Sequence, residues 1–206
     1  MIGGLGVGLR EKRKQATRER VLEAARDLFD EVGYEAAAIR DIAKRAGVSV
    51  GSVFTTFGGK ADLLGAVMSD RLEGLYAELD RLIPHLRGGV VDRLRSIMAV
   101  HYGFETRRLR LFVSYICASY GWAAERGVTP LGGNARLKQM LGDVLREGIE
   151  RDEVRVDADI ESCADAIVAA YVWNYRRACE PSVTTEDLIA LMDRQIGVLF
   201  QGVCKP

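Results

Sequence analysis

Apolar residues recur at three- and four-residue spacing along almost the whole chain, and strand-like alternation is nearly absent. Only Glu153–Val156 resembles a strand, and it is short enough to be a loop. Val21, Leu22, Ala25, Leu28 and Phe29 form one helical stripe. It predicts a first helix starting near Thr17, a plausible N-cap, and stopped by Gly33. Ile39, Ile42, Ala43 and Ala46 predict a second helix over 38–46 that Gly47 closes. A third starts after Ser49 and ends near Phe57, with Val53 and Phe57 facing inward and Gly58–Gly59 breaking it. A longer fourth helix is expected over about 60–83. Beyond Pro84 the periodicity predicts helices at about 89–104, 106–126, 132–152, 158–179 and 184–201. Gly121 leaves open whether 106–126 is one helix or two. Asp157 is the expected cap of the helix starting at Ala158, and Thr184 with Asp187 resembles a capping box. The fold class is therefore all-α.

Residues 38–57 combine a helix, a Gly-containing turn and a short second helix, which is a helix-turn-helix. Small Ala43 allows close approach of the two helices. Gly47 takes a turn conformation that a Cβ would oppose, Val48 anchors the turn, and Ser49 caps the second helix. Gly51 and Ser52 leave little bulk at that helix's N-terminal end, so its backbone can approach a phosphate or a base edge.

A longer ordered pattern surrounds this motif: Thr17-Arg18-Glu19-Arg20-Val21-Leu22-Glu23-Ala24-Ala25, Leu28-Phe29, Gly33-Tyr34, Ile39-Arg40-Asp41-Ile42-Ala43, Ala46-Gly47-Val48-Ser49, Gly51, Phe57 and Lys60-Ala61-Asp62-Leu63-Leu64. It resembles the TetR (tetracycline-repressor-like) family of bacterial transcription regulators over about residues 14–65. The resemblance implies a basic flexible tail at 1–13, a three-helix DNA-binding domain at 14–60, and a larger helical ligand-binding and dimerisation domain at 61–206. It also implies a homodimer reading a palindromic double-stranded DNA operator, with half-sites about 34–36 Å apart. By position, Val50, Gly51, Ser52, Phe54, Thr55 and Thr56 would face DNA, while Ser49, Lys60 and Arg40 would meet phosphates. The chain departs from the family pattern where Tyr usually stands at Phe54, Tyr or His at Thr56, and Thr or Ser within Ala36–Ala38. Each departure removes a phosphate-directed donor, which weakens the sequence-independent part of affinity. The second motif helix offers no bidentate Arg–guanine pair, and apolar contact with thymine methyls is plausible.

Charge agrees with a nucleic-acid-binding end. The chain has 29 basic and 29 acidic side chains, but residues 1–60 hold 11 against 8 and Arg10–Arg20 holds six against two. The four cysteines form no C-x-x-C or Cys/His cluster, so neither a metal nor a cofactor is expected. They read as reduced, buried small hydrophobes of a cytoplasmic protein. The longest uncharged run, Leu111–Ala124, has 14 residues, too few to span a membrane. No nucleophile elbow, P-loop, H-E-x-x-H or strand-linked G-x-G-x-x-G occurs, so a helical enzyme is the weaker alternative.

Met98, His101, Tyr102, Phe104, Phe112, Tyr115, Tyr120 and Trp122 lie in the most aromatic stretch. Singly they suit a core; together they suit an apolar pocket with a few polar handles. The family resemblance implies a small hydrophobic or aromatic effector there. On the last helices, Leu141, Val144, Leu145, Ile167, Ala170, Tyr171 and Trp173 suit either intrachain core or the isologous dimer interface implied by the family. The resulting expectation is a repressor released from DNA by its effector. A sensor of the same fold with weakened DNA binding is the other possibility.

Overall fold

The computed structural model describes the backbone of residues 4–126 and 135–204 and the side chains of 10–121 and 135–204. In chain order its helices are α1 (Gly4–Val32), α2 (Ile39–Ala46), α3 (Val50–Phe57), α4 (Lys60–Leu82), α5 (Val90–Glu105), α6 (Leu109–Arg126), α7 (Ala135–Glu150), α8 (Ile160–Ala178) and α9 (Thr185–Phe200). Among the described residues there is no strand. The Glu153–Val156 stretch contributes one antiparallel bridge, Val154 to Cys204. The all-α reading holds.

The chain divides into Met1–Glu73 with Arg110–Ser119, and Gly74–Leu109 with Tyr120–Pro206. The division falls inside α4 and α6. In the first unit α1 packs on α2, and α2 on α3. Its core includes Val21, Ala25, Phe29, Ile42, Val53 and Leu64, all fully buried. In the second unit α5 packs on α7 and α9, and α8 packs on the same two helices, which closes a four-helix arrangement. Leu94, Ile97, Leu141, Val144, Ile167 and Ile196 fill it.

Several local expectations shift. Helix α1 begins at Gly4 instead of Thr17; Arg10–Ala16 are all good helix formers, so Thr17 does not start the helix, while Gly4, Gly6 and Gly8 give the first turns no such support. Helix α8 is capped by Asp159, not Asp157: the Asp159 carboxylate accepts from the Ser162 backbone N–H at 3.0 Å. The 106–126 segment is a single 3₁₀ turn, Thr106–Arg108, followed by α6, and Gly121 lies inside that helix. The start of the expected 132–152 helix, residues 132–134, lies outside the described residues. The capping box on α9 forms as expected, with Thr184 accepting from the Asp187 N–H and Asp187 accepting from the Thr184 N–H. The cysteines are free, but Cys117 and Cys179 are exposed, and Cys163 and Cys204 are half-buried. The expectation of buried thiols is therefore corrected: an apolar stretch of helix still has a solvent side, and Cys179 sits just past the end of α8.

Candidate functional site

The helix-turn-helix is built by local chemistry. Gly47 ends α2 in the left-handed conformation, φ 65° and ψ 40°. Its N–H donates to the Lys44 carbonyl at 3.2 Å, and the Val48 N–H donates to Ala43 at 3.0 Å. This paired closure satisfies carbonyls at the end of α2 and sets the direction of the chain into α3. Ser49 then caps α3, its hydroxyl oxygen accepting from the Ser52 N–H at 3.1 Å. Ala43 is buried where α2 packs on α3. Across the unit, Arg45 makes a two-pronged ion pair with Glu31 of α1, at 2.7 Å for each bond, which holds the Glu31 carboxyl below its usual range.

The motif leaves one side of α3 in solvent. Val50, Gly51, Phe54 and Thr55 are exposed, while Ser52 and Thr56 are half-buried. Beside this surface runs the N-terminal half of α1. Arg13, Lys14 and Thr17 line one groove with Ser49, Gly51, Ser52, Thr55 and Thr56. A neighbouring groove brings Lys12, Lys14 and Arg18 against Thr56. The Arg18 guanidinium also stacks over the Phe57 ring at 4.7 Å. The basic run of the sequence is thus a helical wall alongside α3. Cationic side chains flanking a slim helix match a duplex, with phosphates at the sides and the major groove between them.

The expected phosphate-binding residues fare differently. Arg40 is highly exposed at the start of α2 and only loosely paired with Asp41, at 3.8 Å. The Lys60 ammonium donates to the Glu35 carbonyl at 3.0 Å and lies 4.4 Å from the Tyr34 ring centre. It braces the loop before α2 and keeps further hydrogens for a phosphate. The threonine hydroxyls of α3 bond back onto their own helix: Thr55 donates to the Gly51 carbonyl at 2.8 Å and Thr56 to the Ser52 carbonyl at 2.7 Å. Helix α2 begins at Ile39, and Ala38 before it supplies no side-chain cap.

The second unit holds a buried polar cluster. His101 is 2% exposed, and neither ring nitrogen has a hydrogen-bond partner among the described residues. Burial alone pushes its pKa down to about 4, so the ring is neutral. It packs edge-on against Tyr76 and Tyr171, at 5.9 and 5.5 Å between ring centres. The Tyr102 hydroxyl accepts from Asn174 at 3.1 Å, and burial pushes its pKa up to about 12. Asn174 and Gln195 exchange amide hydrogen bonds at 2.7 and 3.1 Å, tying α8 to α9. Tyr175 donates to the Tyr171 hydroxyl at 3.3 Å. Fully buried Glu105 lies one turn beyond His101 on α5.

Of the expected pocket residues, Met98, His101 and Tyr102 are buried in this unit and Phe104 is half-buried. Phe112 and Tyr115 belong to the first unit. Tyr120 is exposed, and the side chain of Trp122 lies outside the described residues. Tyr76, Asn174, Tyr175 and Gln195 do not stand out in the sequence. The Tyr171, Asn174, Tyr175 and Ala178 spacing along α8 is the signal that finds two of them. Of the expected interface residues, Leu141, Val144, Leu145, Ile167 and Tyr171 are buried within the chain, Ala170 is half-buried, and Trp173 is exposed.

An exposed α3 flanked by basic residues and fixed by a two-helix turn defines a helix-turn-helix protein of the DNA-binding class. Residues 21–67 match the sequence model of the bacterial regulatory proteins of the TetR family. The repressor KstR2 of Mycobacterium tuberculosis is 27% identical over 145 residues, 70% of this chain and 72% of its own. The fatty acid metabolism regulator protein of Bacillus subtilis is 20% identical over 210 residues, 93% and 98% of the two chains. The structure of the repressor FadR of Thermus thermophilus in complex with lauroyl-CoA superposes with a TM-score of 0.70, at 26% identity, over 90% of this chain and 94% of that one. Residues 21–67 thus carry the sequence pattern of the TetR family, and the solved FadR structure that the chain resembles over most of its length is a TetR-family repressor.

Proposed function

We propose that the protein is a ligand-responsive repressor. A homodimer binds a palindromic operator in the cytoplasm, each copy placing α3 in the major groove, and an apolar effector held in the second unit releases it. The carrying observation is the solvent face of α3 set beside Arg13, Lys14 and Thr17. Arg13, Lys14, Arg40, Ser49 and Lys60 meet phosphates in this reading, and Val50, Gly51, Ser52, Phe54, Thr55 and Thr56 approach the bases.

For the effector, the support is the neutral, buried His101 amid tyrosines. Its two unpartnered ring nitrogens offer one donor and one acceptor among buried aromatic rings, a good match for a carbonyl or hydroxyl on a hydrophobic body. The lauroyl-CoA bound by the Thermus relative favours an acyl group as that body. Release requires only that the effector bind the DNA-free conformation more tightly, by a few kcal/mol.

For the dimer, the support is the outer side of α8, where Ala166, Ala169, Ala170 and Trp173 follow at helical spacing, and the exposed Val198 and Leu199 of α9. Small residues allow two such surfaces to approach closely, and an aromatic at the edge suits an interface. No catalytic step is part of this reading.

A labelled duplex selected by the protein provides the test. Lauroyl-CoA, free CoA and a panel of hydrophobic aromatic compounds are titrated against the bound complex, with His101→Phe as the control. Release by one apolar compound, blunted in the variant, supports the account. Binding of the duplex that no compound disturbs contradicts the effector half of it.

A second reading, a sensor with weakened DNA affinity, draws on Phe54, the uncapped start of α2 and the Thr56 hydroxyl bonded back onto its own helix. Under it Phe54→Tyr strengthens binding to any duplex.

A further inference from the structure

The chemistry of α3 restricts what its head can read, and this inference rests on the DNA-binding reading above. The helix carries no amide, guanidinium, ammonium or imidazole side chain. Its threonine hydroxyl protons are spent on the Gly51 and Ser52 carbonyls. The Ser49 and Ser52 hydroxyls hydrogen-bond each other at 2.8 Å, and Ser49 is further engaged as the cap. The two-pronged bonds that distinguish guanine or adenine have no donor here.

What α3 does present is apolar. Val50 is 39% exposed and Phe54 49%, four residues apart and so on one face, with bare Gly51 beside Val50. Arg13 and Lys14 line a groove with Gly51, Ser52, Thr55 and Thr56 of the same helix, and this basic wall specifies a polyanion as the occupant. In the major groove the apolar group on offer is the C5-methyl of a pyrimidine, that of thymine in unmodified DNA.

We propose that Val50 and Phe54 read pyrimidine C5-methyl groups, so that the half-site beneath α3 is specified by thymine methyls and not by hydrogen bonds to purines. The sources of the methyl are separable. Replacing thymine by uracil deletes the methyl and leaves pairing unchanged; replacing cytosine by 5-methylcytosine adds one.

The test uses the full-length protein and the duplex it selects from a random pool. Uracil is placed singly at each thymine of the half-site, 5-methylcytosine at each cytosine, and affinity is measured by fluorescence anisotropy. The expected result is a weakening of about fourfold for each thymine methyl removed from beneath Val50 or Phe54, the worth of one buried carbon. In Val50→Ala and Phe54→Ala the penalty at the corresponding position disappears. Neither side chain belongs to the buried core, so both variants stay folded, and a cooperative melting transition checks this. A gain on 5-methylcytosine with no weakening on uracil would assign the same side chains to methylated cytosine. Selected duplexes bound equally well with and without the methyls would overturn the proposal while leaving the DNA-binding reading intact. Failure to select any duplex would overturn both.

Discussion

At the residue scale, His101 is a titratable group held almost entirely out of water. Its unfolded-state pKa is near 6.5 and its folded pKa is lowered to about 4, so the unfolded chain takes up a proton that the folded chain refuses. Stability from this group is complete above pH about 6.5 and falls as pH drops towards about 4, by about 3 kcal/mol. Urea titrations across that window show this slope in the wild type. His101→Phe, which keeps an aromatic ring between Tyr76 and Tyr171, flattens it. An equal slope in the variant would mean another group titrates. Tyr102 gives the mirror effect in alkali: its pKa is raised to about 12, so the unfolded chain ionises first and stability declines as pH rises from about 10.

The same scale shows how far single residues are readable from the chain. Gly47, Ser49 and the Thr184–Asp187 pair announce their structural roles because each role depends on neighbours within a few positions. Asp157 and Asp159 are hard to tell apart because both precede α8. Only Asp159 has its carboxylate on the Ser162 N–H, and a two-residue difference in where the helix begins decides it. Tyr76 and Gln195 are invisible because their partners lie far away in sequence.

At the element scale, α2 starts without a side-chain cap: the Ala38 carbonyl accepts from the Asp41 and Ile42 N–H groups, and Ala38 has no side-chain acceptor to offer the first turn. Ala38→Ser supplies that acceptor and raises stability by about 1 kcal/mol, a rise of a few degrees in Tm; an unchanged Tm would show that the α2 N-terminus is already satisfied. Gly148 on α7 predicts the opposite sign. A Cβ there would stand 2.8 Å from Val154 Cγ2 and 3.1 Å from Val90 Cγ2. Gly148→Ala therefore destabilises by about 1–3 kcal/mol through overpacking between α7 and α5, and a chemical-denaturation midpoint reads it directly.

Helix identities are legible because apolar periodicity is strong from Val21 onward, and most boundaries because glycine and proline mark them. The start of α1 is not, since Thr17 has the chemistry of a cap but sits in a run of helix formers. The stripes on α7 and α8 are legible as buried surface. Their partner is not: periodicity reports that Leu141 and Ile167 are hidden, and cannot say whether their own chain or a second copy hides them. In the structure their own chain does so.

At the scale of the whole molecule, a chain with no net charge concentrates its basic excess in residues 1–60, along α1 and the head. Binding to DNA should therefore be salt-sensitive out of proportion to the overall charge. Lys14→Gln lowers affinity for all duplexes alike and reduces the slope of log K against log salt by about 1, as expected when one phosphate is no longer neutralised, whereas Phe54→Ala leaves the slope unchanged.

The most direct measurement of the central claim is selection from a random pool of duplex DNA by the purified protein at two salt concentrations. The account predicts one palindromic motif recovered at both, with half-sites about one helical turn apart, and affinity that falls steeply as salt rises. Binding at low salt that yields no motif and vanishes at the higher salt would contradict a specific regulator.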